Sequence, residues 1–265
     1  MIKLIVSDVD GTLIDKKYQI PELNMRALQD CKREGIRIVL ATGKLIYSLI
    51  PIIKPLGLTM PQITAGGATL IDLNLKVHRA IKLNPDLFSE IIDYIKSNGY
   101  SPLVSLQDNI MYYDQFTPVV DYIKQTGENL QQTSNLDSDN FKNNAIAISV
   151  LHQQEEFGNK LVEKFSNGGV MITRPWKTYV NILPARASKG RALKEIIKHL
   201  DLRQEEVAVF GDNLNDLSMF DTAGLKIAVK NAHQQLTDTA DIITGSNNEA
   251  GVGKAIYNHI LEGGP

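Results

Sequence analysis

The chain has one cysteine, one tryptophan and no excess of either charge: 28 lysines and arginines stand against 30 aspartates and glutamates. Lone Cys31 cannot close an intramolecular disulfide. It falls in the helical pattern "LQDCKREG" and reads as a structural thiol of a reducing compartment. With a formal net charge of −2, nothing argues for nucleic acid or an anionic membrane as partner. No segment is long and apolar enough to span a bilayer. The opening "MIKLIVSDVD" has an apolar run cut off at Asp8, too short for a signal sequence, so a cytoplasmic setting is expected. Internal repeats and low-complexity tracts are missing. The five histidines (His78, His152, His199, His233 and His259) have no metal-ligand spacing. What is present is a globular mix of 43% hydrophobic and 22% charged residues over 265 positions, enough for one large domain or two ordinary ones.

Two kinds of pattern divide the chain. In the first third, "IKLIVS", "IRIVLA" and "PQITA" read as strands. They alternate with the helical segments "PELNMRALQDCKREG" and "LIYSLIPIIKPLG", the latter open to a kink at Pro51. The last third repeats the rhythm, with helix "SKGRALKEIIKHL", strand "EVAVFG", helix "NDLSMFDTAG", strands "LKIAV" and "ADIIT", and a final helix around "GKAIYNHIL". Apolar strands separated by helices predict a parallel sheet covered on both faces. The middle is different. Strands "PLVSL" and "IMYYD" are adjacent, as are "GVMITR" and "KTYVNIL", and "AIAISV" stands between helices "TPVVDYIKQTG" and "EEFGNKLVEKF". Together with helix "PDLFSEIIDYIKSNG" they predict an antiparallel sheet with helices on one face. The polar stretch "NLQQTSNLDSDNFKNN" reads as a loop or excursion within this part. The fold class expected is α/β: a core formed by residues 1–81 and 187–265, interrupted by an inserted α+β domain at 82–186. The hinges are expected near "IKLNP" and "LPARAS".

In an open parallel sheet, ligands bind beyond the carboxyl ends of the strands. Those ends carry Asp8, Asp10, Gly11 and Thr12 after the first strand, and Thr42 and Gly43 after the second. "GDNLND", with Asp212, Asn213, Asn215 and Asp216, follows "VAVF"; Ser188, Lys189 and Gly190 open the helix after the insert. Asp8, Asp10 and Asp212 offer hard oxygen ligands of the kind that suit Mg²⁺, and a cation relieves the repulsion among them. The Thr42 hydroxyl, nearby backbone N–H groups and Lys189 at its helix start suit a phosphate. A carboxylate beside a metal-bound phosphate can attack it. A second carboxylate two residues on, facing the same way along the strand, can serve as acid and then base.

"DVDGTLID", "ATGK", "SKG" and "GDNLND", in that order, closely resemble the four signature motifs of the haloacid dehalogenase superfamily. The α+β insert between the second and third motifs resembles the large cap of its Cof-type branch, as does the tail "NEAGVGKAI". The likeness covers essentially the whole chain and implies a Rossmann-like parallel-sheet core with an inserted α+β cap domain. It implies further that Asp8 attacks phosphorus to form an aspartyl-phosphate, and that Asp10 protonates the leaving oxygen and then deprotonates water. Mg²⁺ would be held by the Asp8 carboxylate, the Asp10 backbone carbonyl and Asp212, with Asp216 orienting a metal-bound water or Lys189. Thr42, Gly43, Lys189 and Asn215 would hold the phosphate.

Lys44 stands where the branch commonly has arginine, and Gly66 in "TAGGATL" where it usually shows asparagine; neither receives a contact in this reading. Arg174, Trp176, Lys177 and Tyr179, near a turn between two strands of the insert, are read as a structural or solvated face. The function expected is Mg²⁺-dependent hydrolysis of small phosphomonoesters, sugar phosphates foremost, with nucleotides and pyridoxal phosphate behind. A phosphomutase using the same aspartyl-phosphate and a non-catalytic phosphometabolite-binding protein remain open alternatives.

Overall fold

The computed structural model describes residues 1–113 and 127–261. The helix expected at "TPVVDYIKQTG" lies, apart from Gly127, outside them. Two sheets organise the molecule. The first has the order β14-β13-β12-β1-β2-β3-β4-β5. Its strands are β1 (Leu4–Asp8), β2 (Arg37–Ala41), β3 (Gln62–Thr64), β4 (Thr69–Ile71), β5 (Val77–Ala80), β12 (Val207–Gly211), β13 (Leu225–Ala228) and β14 (Ile242–Ile243). The second, from the middle of the chain, runs β10-β11-β9-β6-β7-β8. It comprises β6 (Pro102–Ser105), β7 (Ile110–Tyr112), β8 (Leu130–Gln132), β9 (Ala147–Leu151), β10 (Val170–Trp176) and β11 (Tyr179–Pro184).

Strand β1, "LIVSD", is buried along its whole length because both its faces are covered. Ile5 points to a cluster with α1 (Glu22–Arg33) and α2 (Ile46–Leu56), through Ala27, Leu28, Leu49 and Ile53. Its neighbours Leu4 and Val6 point the other way, into a second cluster. The chain winds from β1 through parallel β2 and β3 on one side, then returns after the insert to parallel β12, β13 and β14 on the other. The direction of winding therefore reverses at β1, and the carboxyl ends of β2, β1 and β12 lie side by side: Asp8 is in register with Ala41, and Ser7 with Phe210. Helix α2 runs through both Pro51 and Pro55.

In the insert, α3 (Pro85–Ser97), α4 (Asp139–Asn144) and α5 (Glu155–Phe165) cover one face of the second sheet. Phe88, Ile91, Ile92 and Ile95 of α3, and Phe157, Leu161 and Phe165 of α5, close over Val104, Ile148, Val150, Val180 and Ile182. The opposite face supplies Leu103, Ile110, Ala147 and Leu183, which pack on Leu45, Ala65 and Ala68 of the core and on Ala187 of the second connector. The insert thus sits against the strand-end rim of the core. Only residues 81–84 and 185–188 run between the elements of the two sheets.

Three expectations need correction. The first sheet is not parallel throughout: β3–β4 and β4–β5 are antiparallel. The short, glycine-interrupted segment "TAGGATL" masks this pairing, because Gly66 and Gly67 turn the chain with φ of 62° and 92°. The polar stretch at 129–144 is not a mere loop or excursion: it contains β8, which pairs parallel with β7, and helix α4, anchored by buried Phe141. Helix α6 (Lys189–His199) follows the insert. Next come a short turn at Leu214–Asp216, α7 (Leu217–Phe220), α8 (Gln234–Thr237) and α9 (Gly251–His259). Where one helix was expected from "NDLSMFDTAG", the capping of that turn by Asn213 leaves only a four-residue helix. Among the described residues no helix is long and apolar enough to cross a membrane.

Candidate active site

Asp8 is the last residue of β1 and is 5% exposed. Beyond it Asp10 forms an isolated bridge with Ile14, and Gly11 turns the chain with φ of 82°. The conformation favours glycine, and a Cβ at Gly11 would fall 2.4 Å from Asp212 Oδ2 and displace that carboxylate. Asp212 follows the last residue of β12, and its Oδ1 accepts a hydrogen bond from the Thr12 hydroxyl at 3.1 Å.

Lys189 joins the clusters. It is the first residue of α6, whose start is fixed by Ser188 Oγ accepting from the Arg191 N–H. The side chain is 1% exposed, and its ammonium donates to Asp8 Oδ1 at 2.5 Å and to Asp216 Oδ1 at 2.7 Å. The other oxygen of Asp216 accepts the backbone N–H groups of Asp212 and Asn213 at 3.0 and 3.1 Å, tying the β12 turn to the lysine. Two glycines permit this convergence. A Cβ on Gly190 would come 1.9 Å from the Ser218 carbonyl oxygen, and one on Gly67 would come 2.2 Å from Ser188 backbone.

The site is electrostatically loaded. Asp8, Asp212 and Asp216 each offer a carboxylate oxygen, all within 4.8 Å of one another. Burial raises the pKa of Asp8 well above the ordinary carboxylate range despite the adjacent Lys189 ammonium. Burial and then the Asp216 charge push Asp212 up to about 6. Burial alone would pull Lys189 down, but Asp216 and Asp8 carry it above its ordinary value. Asp8 Oδ2 is buried and finds no hydrogen-bond partner among the described residues. A hard divalent cation fits this arrangement: it supplies the missing partner and relieves the crowding of like charges.

Thr42, directly after β2, is buried; its hydroxyl accepts the Lys44 N–H at 3.1 Å. Gly43 lies exposed at the mouth of this turn, with open space where a side chain would be. Asn215 is exposed in the turn before α7, and the ammonium–carboxylate network does not include it.

Two residues in the site were not assigned a role from the sequence. Lys44 Nζ lies 2.5 Å from Asp10 Oδ1, linking the second motif to the first. Glu128, from the insert, reaches the core: its Oε1 accepts the Leu45 N–H at 2.7 Å, just ahead of α2. Burial pushes its pKa up to about 7, against the pull of that N–H and of Lys44. Charge and spacing held a hint for Lys44, which follows a phosphate-type "TG" turn. Glu128 lies 83 positions from its partner and carried no local signal.

This fold and cluster agree with what comparison with known proteins shows. The family model for haloacid dehalogenase-like hydrolases matches residues 5–256, and the chain belongs to that family, in its Cof-type branch. It is similar to phosphatase YwpJ of Bacillus subtilis, at 29% identity over 98% of this chain and 100% of the relative. It is also similar to 5-amino-6-(5-phospho-D-ribitylamino)uracil phosphatase YcsE of the same organism, at 27% identity over 98% and 96%. Among solved structures, TM0651 from Thermotoga maritima superposes with a TM-score of 0.89 and 27% identity, covering 99% of both chains.

Proposed function

We propose that the chain is a phosphomonoester hydrolase working through an aspartyl-phosphate on Asp8. One observation carries the reading: buried Lys189 is shared by Asp8 and Asp216 with Asp212 alongside, so that a nucleophilic carboxylate stands beside a fixed cation and a set of hard oxygen donors. Such a site recognises a dianionic group with developing charge, as in phosphoryl transfer.

An Asp8 carboxylate oxygen bonds to phosphorus as the ester P–O bond breaks, and Asp10 gives its proton to the departing alcohol oxygen. Asp10, now a carboxylate, removes a proton from water as the water oxygen attacks the aspartyl-phosphate. The acyl-phosphate P–O bond breaks, Asp8 is restored as carboxylate, and inorganic phosphate leaves. Lys189 neutralises charge beside Asp8 throughout, while Thr42 and the Gly43 turn hold the non-reacting phosphate oxygens, with Asn215 at the rim. Lys44 fixes one oxygen of Asp10. Asp8, Asp212 and the Asp10 carbonyl would hold Mg²⁺, with Asp216 orienting Lys189. When bound, the metal draws negative charge from the transferring phosphoryl group.

Residues 82–186 act as a cap that closes over the strand ends and excludes bulk water. Sugar and sugar-alcohol phosphates are the favoured substrate class. The name of one relative, YcsE, specifies a ribityl phosphate, and a covered site disfavours large protein substrates. The test is phosphate release from a panel of phosphate esters, ranked by kcat/KM, with and without EDTA. The expected result is release that favours polyol phosphates and falls to background on chelation. No release from any ester with Mg²⁺ present, or release indifferent to EDTA, overturns the reading.

A further inference from the structure

A cavity of about 410 Å³ lies where the two connectors of the insert meet the core. It is lined by Arg79, Lys82, Arg186, Arg191 and Glu195, with Ala80 and Ile81. None of these residues belongs to the Asp8 cluster. Four cations face a single carboxylate, in a chain whose overall charge is −2. Arg79, at the end of β5, is half-buried; it pairs with Glu195 at 3.1 Å and donates to the Gly67 carbonyl at 3.2 Å. That uses the only acid in the lining. Lys82 on the first connector donates to the neutral Asn144 side chain at 2.8 Å. Arg186 on the second connector and Arg191 on the first turn of α6 meet no carboxylate among the described residues. Burial holds Arg79 below its ordinary pKa against the pull of Glu195, and the nearby Arg186 and Arg191 charges add to the lowering.

Guanidiniums converging from three elements on one concave space, without acids to match, repel one another unless an anion lies among them. The planar fork of arginine pairs bidentately with phosphate oxygens. A volume of about 410 Å³ exceeds the needs of a lone phosphate ion and falls within the roughly 300–1,000 Å³ of small-molecule pockets. We propose that this pocket binds a multiply charged, phosphate-bearing small molecule, which bridges the two connectors through Lys82 and Arg186 and ties both to the core through Arg191. The ligand is an effector rather than a substrate, because the lining offers no nucleophile or acid–base pair: its only carboxylate is committed to Arg79. A bound ligand spans both hinges on which the insert would move.

The test is calorimetric titration of the full chain with tripolyphosphate, which requires no turnover and so stands apart from the activity proposed above. Four proteins are compared: the parent, the double variants Arg186→Ala/Arg191→Ala and Arg186→Lys/Arg191→Lys, and Thr42→Ala at the strand-end rim. Arg186 and Arg191 are both exposed, so their truncation spares the fold, which thermal melting verifies. The expected result is saturable binding that weakens about tenfold or more in the double arginine variant and survives in Thr42→Ala. Arg186→Lys/Arg191→Lys, which keeps charge but loses the fork, gives an intermediate loss. Absence of saturable binding to the parent, or equal binding by the double arginine variant, overturns the proposal. Citrate binding as tightly as tripolyphosphate overturns the assignment to phosphate.

Discussion

The core sheet and the insert's sheet solve the same burial problem in opposite ways. Strands β1 and β12 are buried on both faces and largely apolar, so the charged residues in that part of the chain gather at the strand ends, where Asp8 and Asp212 stand beside Thr42. The insert's sheet is covered by helices on one face and turns the other toward the core, so its side chains alternate between two apolar tasks. Its acid at the rim, Glu128, comes from the segment before β8 and not from a strand end. A parallel sheet concentrates chemistry at one edge, whereas the insert supplies a surface. Reaction type should therefore be sensitive to a few core residues, and substrate choice to the fit between the two bodies.

The sharpest break in this division is Asp8→Asn. It is nearly isosteric and removes the nucleophile, so turnover should fall by about 10⁴-fold or more with circular dichroism unchanged. A fall of less than tenfold would move the nucleophile elsewhere. Phe88→Ala tests the other body. Phe88 is 1% exposed and central to the insert's helical face, and its truncation should cost about 3–5 kcal/mol in chemical denaturation. The hydrogen-exchange protection of β1 and β12 amides should stay as in the parent. Equal loss of protection in both sheets would show that the two bodies unfold as one.

Lys44→Ala should lower kcat by about 10–100-fold, since it leaves Asp10 in place but unpositioned, with Lys44→Arg recovering part of the loss. A change confined to KM would make Lys44 a substrate contact instead. Glu128→Gln should have the smallest effect, and it is a matter of pH. The folded pKa of Glu128 is raised to about 7 from an ordinary 4.5. Its stabilising contribution is therefore full below about 4.5 and lost as pH rises through about 7. The Leu45 amide, which Glu128 accepts, should exchange faster above pH 7 in the parent, beyond the intrinsic base catalysis seen in an unfolded reference. That excess should vanish in Glu128→Gln; an identical pH profile in both proteins would remove Glu128 as the titrating group.

The rim was legible in the sequence because acids directly following buried apolar strands have few reasons to exist except to hold something. Asp8, Asp212, Asp216 and Lys189 are brought together by the winding reversal at β1, which the alternation of strands and helices already implied. Lys44 and Glu128 were not legible as partners of Asp10 and Leu45. Their pairing is set by tertiary approach, and neither position carries a period or a cap signal. Strands β4 and β8, of three residues each, are shorter than the two-residue alternation needs in order to register, so an antiparallel extension and a parallel edge pair went unseen.

The placement of the Lys189 ammonium depends on two methyl groups that are not there. Gly67 lets its turn, and Gly190 lets helix α7, approach the start of α6 until backbone touches backbone, and any larger side chain at either would lever the lysine away from its carboxylates. Grafting this rim onto another parallel sheet by copying only its charged residues would therefore misplace the cation; both glycines, 122 and one positions away from Lys189 along the chain, have to travel with it.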